Sequence, residues 1–133
     1  MSTDLRDSLT LARACAALLE EKKVSDLQIF DVGDSLAITG YFVIGTGLNS
    51  RHLKASVDHV ERSLREHGVR RKGIEGYGEG KWILLDLGDV VIHLFQEESR
   101  KFYDLELLWG DAAVLPPHDG ADLVGGERKK AAP

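Results

Sequence analysis

Three groups of residues in this 133-residue chain have types and spacings that could do chemistry. The first is GTGLNS, Gly45 to Ser50, lying between a strand-like and a helix-like run. Phosphate sites are built in that order, because a helix N-terminus turns unpaired N–H groups toward an anion. The stretch matches neither G-x-G-x-x-G nor G-x-x-x-x-G-K-S/T, and its lone charge is the adjoining Arg51. A plain turn, with Asn49 or Ser50 capping the next helix, is the simpler reading. The second group is Asp86 and Asp89, which flank a turn and could in principle hold a metal, although paired acids at a turn are more often solvated. The third is His93, set among aliphatic residues in VVIHLF.

His93 has few partners for catalysis. His52 and His59 are seven apart, two helical turns, where a metal pair needs i and i+4. His67 falls at a helix end and His118 in the tail. There is no G-x-S-x-G, and Cys15 has no second cysteine or activating base nearby in the sequence.

The elements that position these groups follow from periodicity. Leu5, Leu9, Ala12, Ala16 and Leu19 predict a helix over 4–23, with Thr3 as its cap. Strands are expected at 27–32 and 36–44, the second interrupted by Gly40. Leu53, Val57, Val60 and Leu64 predict a second helix that stops at Gly68. A short strand near 71–74 precedes strands at 82–87 and 90–95, and a last helix is expected over 97–109. The order α-β-β-α-β-β-β-α describes a mixed β-sheet packed by helices, an α/β domain. Residues 1–115 form that domain, and 116–133, PPHDGADLVGGERKKAAP, have the composition of a disordered tail.

Gly88-Asp89 fits a two-residue type II′ turn. Trp82 then pairs with Phe95, Leu84 with His93 and Asp86 with Val91. Side chains alternate, so the hairpin has two faces. Ile83, Leu85, Leu87, Val90, Ile92 and Leu94 form an aliphatic face that belongs in the core. Trp82, Leu84, Asp86, Val91, His93 and Phe95 form a mixed face. Either a helix covers it and its polar groups are satisfied locally, or it lies open as an aromatic interface.

Bulk properties narrow the class. Net charge is −5, which argues against holding nucleic acid over a wide face but admits a basic partner. A single cysteine excludes an internal disulfide and suggests a reducing compartment, the cytoplasm. The acidic N-terminus is unlike a signal peptide, and no apolar run approaches the roughly 18 to 20 residues of a membrane span.

TGLNSRHLKA, the strand ITGYFVI and the run GEGKWILLDLGDVVIHLFQEESRKFYDLELLW together resemble the ribosomal silencing factor family, also called Iojap-like or RsfS. The resemblance covers roughly residues 8 to 112. It implies a nucleotidyltransferase-like fold without the active site, no enzyme activity, no cofactor and no metal. It implies a partner, protein L-fourteen on the large ribosomal subunit, and a role as translational repressor that blocks joining of the small subunit when nutrients are scarce. A homodimer is implied for the free protein. Trp82, Leu87 and Phe95 are the implied contact residues, with Asp86, His93, Arg100 and Tyr103 beside them. Gly40 and Leu48-Asn49 depart from the family pattern; both bear on nucleotide binding and neither touches the hairpin. The acidic charge suits a basic ribosomal protein and disfavours bare ribosomal RNA and sequence-specific nucleic-acid binding. The rivals are a small nucleotidyltransferase-like enzyme, with GTGLNS as phosphate cradle and Asp86 and Asp89 as metal ligands, and a homodimeric scaffold for another partner.

The tail is testable at once. Removing 116–133 is expected to leave the melting temperature and large-subunit binding unchanged, because the segment has few apolar residues to bury. A large loss of either on truncation would refute this.

Overall fold

The structure, a computed structural model, describes residues 5–32, 40–99, 113–115 and 117. Helix α1, Ser8–Glu21, starts where Asp7 caps it: the carboxylate accepts from Thr10 N at 2.9 Å and from the Thr10 hydroxyl at 2.8 Å. The helix thus begins later than the apolar period suggests, and the expected Thr3 cap lies outside the described residues. Leu11, Ala12, Cys15, Ala16 and Leu19 line its buried face. At its end Val24 N donates to Leu19 O and Lys23 N to Glu20 O, the two bonds of a Schellman motif. Lys23 occupies the position where glycine is usual, at φ 67.

Strand β1, Ser25–Asp31, pairs antiparallel with β2, Tyr41–Gly47, across a bulge between Ser25 and Gln28. Helix α2, Ser50–Arg65, follows, capped by Asn49. It closes on a Schellman turn of its own at Gly68, φ +81, and buries Leu53, Ser56, Val57, Val60 and Leu64. Strands β3 (Gly73–Glu75), β4 (Trp82–Asp86) and β5 (Val90–Gln96) are antiparallel neighbours. β6, Ala113–Leu115, pairs with β1. The sheet order is β3-β4-β5-β2-β1-β6, with a parallel pair, β2 and β5, at its centre.

α1 and α2 pack on one face, over Ile29, Val43, Ile83, Leu85, Ile92 and Leu94. The mixed α/β sheet packed by helices is therefore as expected. Two details differ. The sixth strand, β6, was not expected from the sequence. Gly45 to Gly47 form the end of β2 rather than a turn, and the chain turns instead at Leu48-Asn49. A Cβ at Gly45 would sit 2.5 Å from Val24 Cγ1, and one at Gly47 would overlap Leu53 Cδ1. The glycines are there for close packing, not for bending. The expected last helix starts, with 97–99 helical, and its remainder lies outside the described residues, as does the tail apart from Pro117.

Lys23→Gly should stabilise the protein by about 0.5 kcal/mol: left-handed backbone costs an L-residue about 1 kcal/mol, part of which glycine returns through its freer unfolded chain. A denaturant midpoint that falls would overturn this account of the α1 terminus.

Candidate docking face on the outer side of the sheet

The hairpin register matches the alternation read from the sequence. Trp82 pairs with Phe95, Leu84 with His93 and Asp86 with Val91. Gly88 takes φ +102, which suits the first central position of a type II′ turn, and Leu87 N donates to Val90 O at 2.9 Å. All six residues of the aliphatic face, Leu87 included, are buried in the core beneath the helices.

The other face points away from α1 and α2. There the register carries on across β2: Val91 lies beside Phe42, His93 beside Ile44 and Phe95 beside Thr46, with Phe30 and Gln28 of β1 beyond. Phe30, Val32, Phe42, Ile44 and Phe95 form a second, smaller core, against which Trp82 and Val91 pack. The face is therefore graded. Phe95 is 0% exposed and His93 4%, whereas Trp82, Leu84, Asp86 and Val91 stay partly exposed. The Trp82 and Phe95 rings stack with centroids 4.9 Å apart. His93 sits 4.8 Å from the Phe42 ring.

His93 is held as a neutral ring. Trp82 Nε1 donates to its Nδ1 at 3.3 Å, so the imidazole proton lies on Nε2. Burial lowers its pKa from an ordinary 6.5 to about 4. Its visible work is to orient the indole of Trp82. Asp86 Oδ1 accepts from Gly88 N at 2.8 Å and so pins the turn. Asp89 ties that turn to two other segments: its carbonyl accepts from Gly40 N and Tyr41 N, both at 3.0 Å, and its carboxylate from the Ser8 hydroxyl at 3.1 Å.

The phosphate cradle is closed. Leu48 N donates to His52 Nδ1 at 2.9 Å, His52 N to Asn49 Oδ1 at 2.8 Å and Leu53 N to Asn49 O at 3.0 Å, so these donors are already used. With Nδ1 accepting, His52 Nε2 donates to Lys22 O at 2.6 Å and joins the end of α1 to the start of α2. His59 meets Glu21 at 2.8 Å, and His67 Nδ1 lies 3.1 Å from Ser63 O. These four histidines thus disperse, and among the described residues no three His, Cys, Asp or Glu side chains gather as a metal site. Cys15 is buried, which pushes its thiol up to about 12.

Of the seven expected contact residues, Trp82, Asp86, His93 and Phe95 share the outer face. Leu87 lies on the opposite side, and Arg100 and Tyr103 lie outside the described residues. Sequence reasoning missed Phe30, Phe42 and Ile44. The available signal was the unbroken apolar run YFVI, since a central strand buried on both faces loses its alternation.

Burial of neutral His93 has a signed consequence. The unfolded chain binds a proton near pH 6.5 that the folded chain takes up only near pH 4. Stability contributed by this residue is thus full above that window and is lost as pH falls through it, by at most about 3 kcal/mol. Acid titration of thermal stability should show this loss in the wild type and a flatter curve in His93→Gln. Parallel curves would refute the assignment.

The family model described as "Ribosomal silencing factor during starvation" matches residues 5–132. The chain is 34% identical over 105 residues to ribosomal silencing factor RsfS of Bacillus subtilis, covering 79% of this chain and 89% of that protein. It is 31% identical over 115 residues to the chloroplastic protein Iojap of Zea mays, covering 84% of this chain and 49% of the longer plant protein. A crystal structure of a Chromobacterium violaceum protein superposes with a TM-score of 0.72 at 32% identity, covering 80% of this chain and 87% of that one. On family model, sequence and fold alike, the chain belongs to the ribosomal silencing factor family.

Proposed function

We propose that this protein represses translation by docking on the large ribosomal subunit at protein L-fourteen and standing in the way of the small subunit. What supports the reading beyond family membership is the graded outer face of β4 and β5: a partly exposed Trp82 stacks on a fully buried Phe95, on the side of the sheet away from α1 and α2. Partly exposed aromatics on a rigid floor are what interface anchors look like, because little conformational entropy is lost when a partner covers them. Trp82 is the anchor, with Asp86 at its rim; Arg100 and Tyr103 extend the contact. His93 and Phe95 act from beneath by fixing the indole, and Leu87 acts as core. Occupying the joining surface suffices, so the function asks for no cofactor and no reaction. The net charge of −5 suits a basic ribosomal protein.

We further propose that the free protein works in the cytoplasm and pairs as a homodimer through the same face, so that dimer and ribosome compete. No helix among the described residues is long and apolar enough to cross a membrane. Two contacts support the non-enzymatic reading: the glycines of GTGLNS pack against Val24 and Leu53, and Asp86 Oδ1 accepts from Gly88 N in its own turn.

Trp82→Glu places a charge in the aromatic patch. Large-subunit binding should weaken by at least about 2 kcal/mol, roughly thirtyfold, as measured by co-sedimentation. The fold should survive, because Ile83, Leu85, Ile92 and Leu94 still hold the strands from the other side. Leu85→Glu, on the helix-covered face, should unfold the chain. If both variants melt alike, the outer face is core. If Trp82→Glu stays folded and still blocks subunit joining, docking lies elsewhere.

A further inference from the structure

Between Glu61 and Lys72 the chain carries five Lys and Arg residues against two acids, in a protein whose net charge is −5. Arg62 and Arg65 lie in the last turn of α2, where cations suit the carbonyl end of the helix. That dipole accounts for two of the five. Arg70, Arg71 and Lys72 lie beyond the turn at Gly68, and all are exposed. Fixed like charges repel one another, so the grouping does not serve stability.

The fold assembles these residues further. Arg65, Arg70 and Arg71, with one acid, Glu61, line an open cleft of ≈ 280 Å³, whose apolar part is Leu64, Val69 and Leu87. Arg71 meets Glu61 at 3.3 Å and keeps a side chain 45% exposed. Lys72 N donates to Asp86 O at 2.7 Å, and the Lys72 side chain lies across Gly88. The strip of charge therefore ends on the β4–β5 turn, the same hairpin that presents Trp82. A partner seated on the outer face brings whatever borders it against this strip.

The chemistry selects the occupant. Arginine's planar fork fits a phosphate with two parallel hydrogen bonds. Among the described residues no aromatic side chain lines the cleft, so bases would have nothing to stack on and only a backbone is read. We propose that this strip seats the phosphate backbone of ribosomal RNA beside the protein docking face; the inference rests on the ribosome-docking reading above. The acidic remainder of the surface then repels RNA, so the strip sets the orientation in which the protein lands.

The test uses the full chain and purified large subunits. Arg65, Arg70 and Arg71 are changed together, in one variant to Gln and in another to Lys, and each variant is checked by thermal melting. Binding is measured across roughly 50 to 200 mM salt, where each lost phosphate contact lowers the log–log salt slope by about 0.7 to 0.9. The Gln variant should lose about 2 from the slope and the Lys variant should keep most of it. Hydroxyl-radical footprinting should show backbone protection of the subunit RNA by wild type and its loss at the same nucleotides in the Gln variant. An unchanged slope and footprint in the Gln variant would overturn the inference while leaving the docking reading intact. A reduced slope with full RNA protection would assign the strip to an acidic protein surface instead. Wild type that fails to bind large subunits at all takes down both.

Discussion

The register of the β4–β5 hairpin is the constraint on which the rest depends. Asp86 Oδ1 holds Gly88 N, Gly88 takes its positive φ, and Leu87 and Val90 close the turn. A slip of one residue would send every side chain of a strand through the sheet. Ile83, Leu85, Ile92 and Leu94 would leave the helices, and Trp82 and Phe95 would be driven into the core. The same turn is tied down from outside, since Asp89 receives the start of β2 and the first residue of α1. Three segments distant in sequence thus share one anchor point.

With the register set, the sheet sorts its residues into two cores of different character. The helix side is aliphatic and closed. The outer side is aromatic, smaller and finished only in part, with an imidazole among its rings. A histidine in such a place carries a cost of desolvation, met by keeping it neutral and giving its Nδ1 to the indole. This answers the question raised by His93 in plain terms: it is a polar peg that aims a tryptophan.

Much of this was legible in the sequence. The hairpin, its pairing and its two faces follow from Gly88-Asp89 and alternation alone. The helices follow from their leucine and valine spacing, to within their ends. Other features were hidden for physical reasons. Glycine signals both bending and close approach, and only the neighbours Val24 and Leu53 reveal which applies at Gly45 and Gly47. A central strand reads as a featureless apolar run, so the share of Phe42 and Ile44 in the outer face did not show. The basic cleft joins α2 to a loop and to the hairpin turn, and one-dimensional charge counts, dominated by the net −5, average it away.

The parallel pairing of β2 with β5 bears on the order of folding. The hairpin is local and closes through a two-residue turn, a microsecond event in isolation. Tyr41 meets Val90 only after a long stretch of chain, including α2, has been looped back, and that closure is entropically slow. Phe95 gains Phe42 and Ile44 as neighbours only at this late step. The expected order is therefore hairpin first and aromatic floor last. A nascent or partly unfolded chain would carry Trp82 without the surface that holds it still, and the fixed orientation of the indole would be conferred by the final long-range contact rather than by the hairpin that carries it.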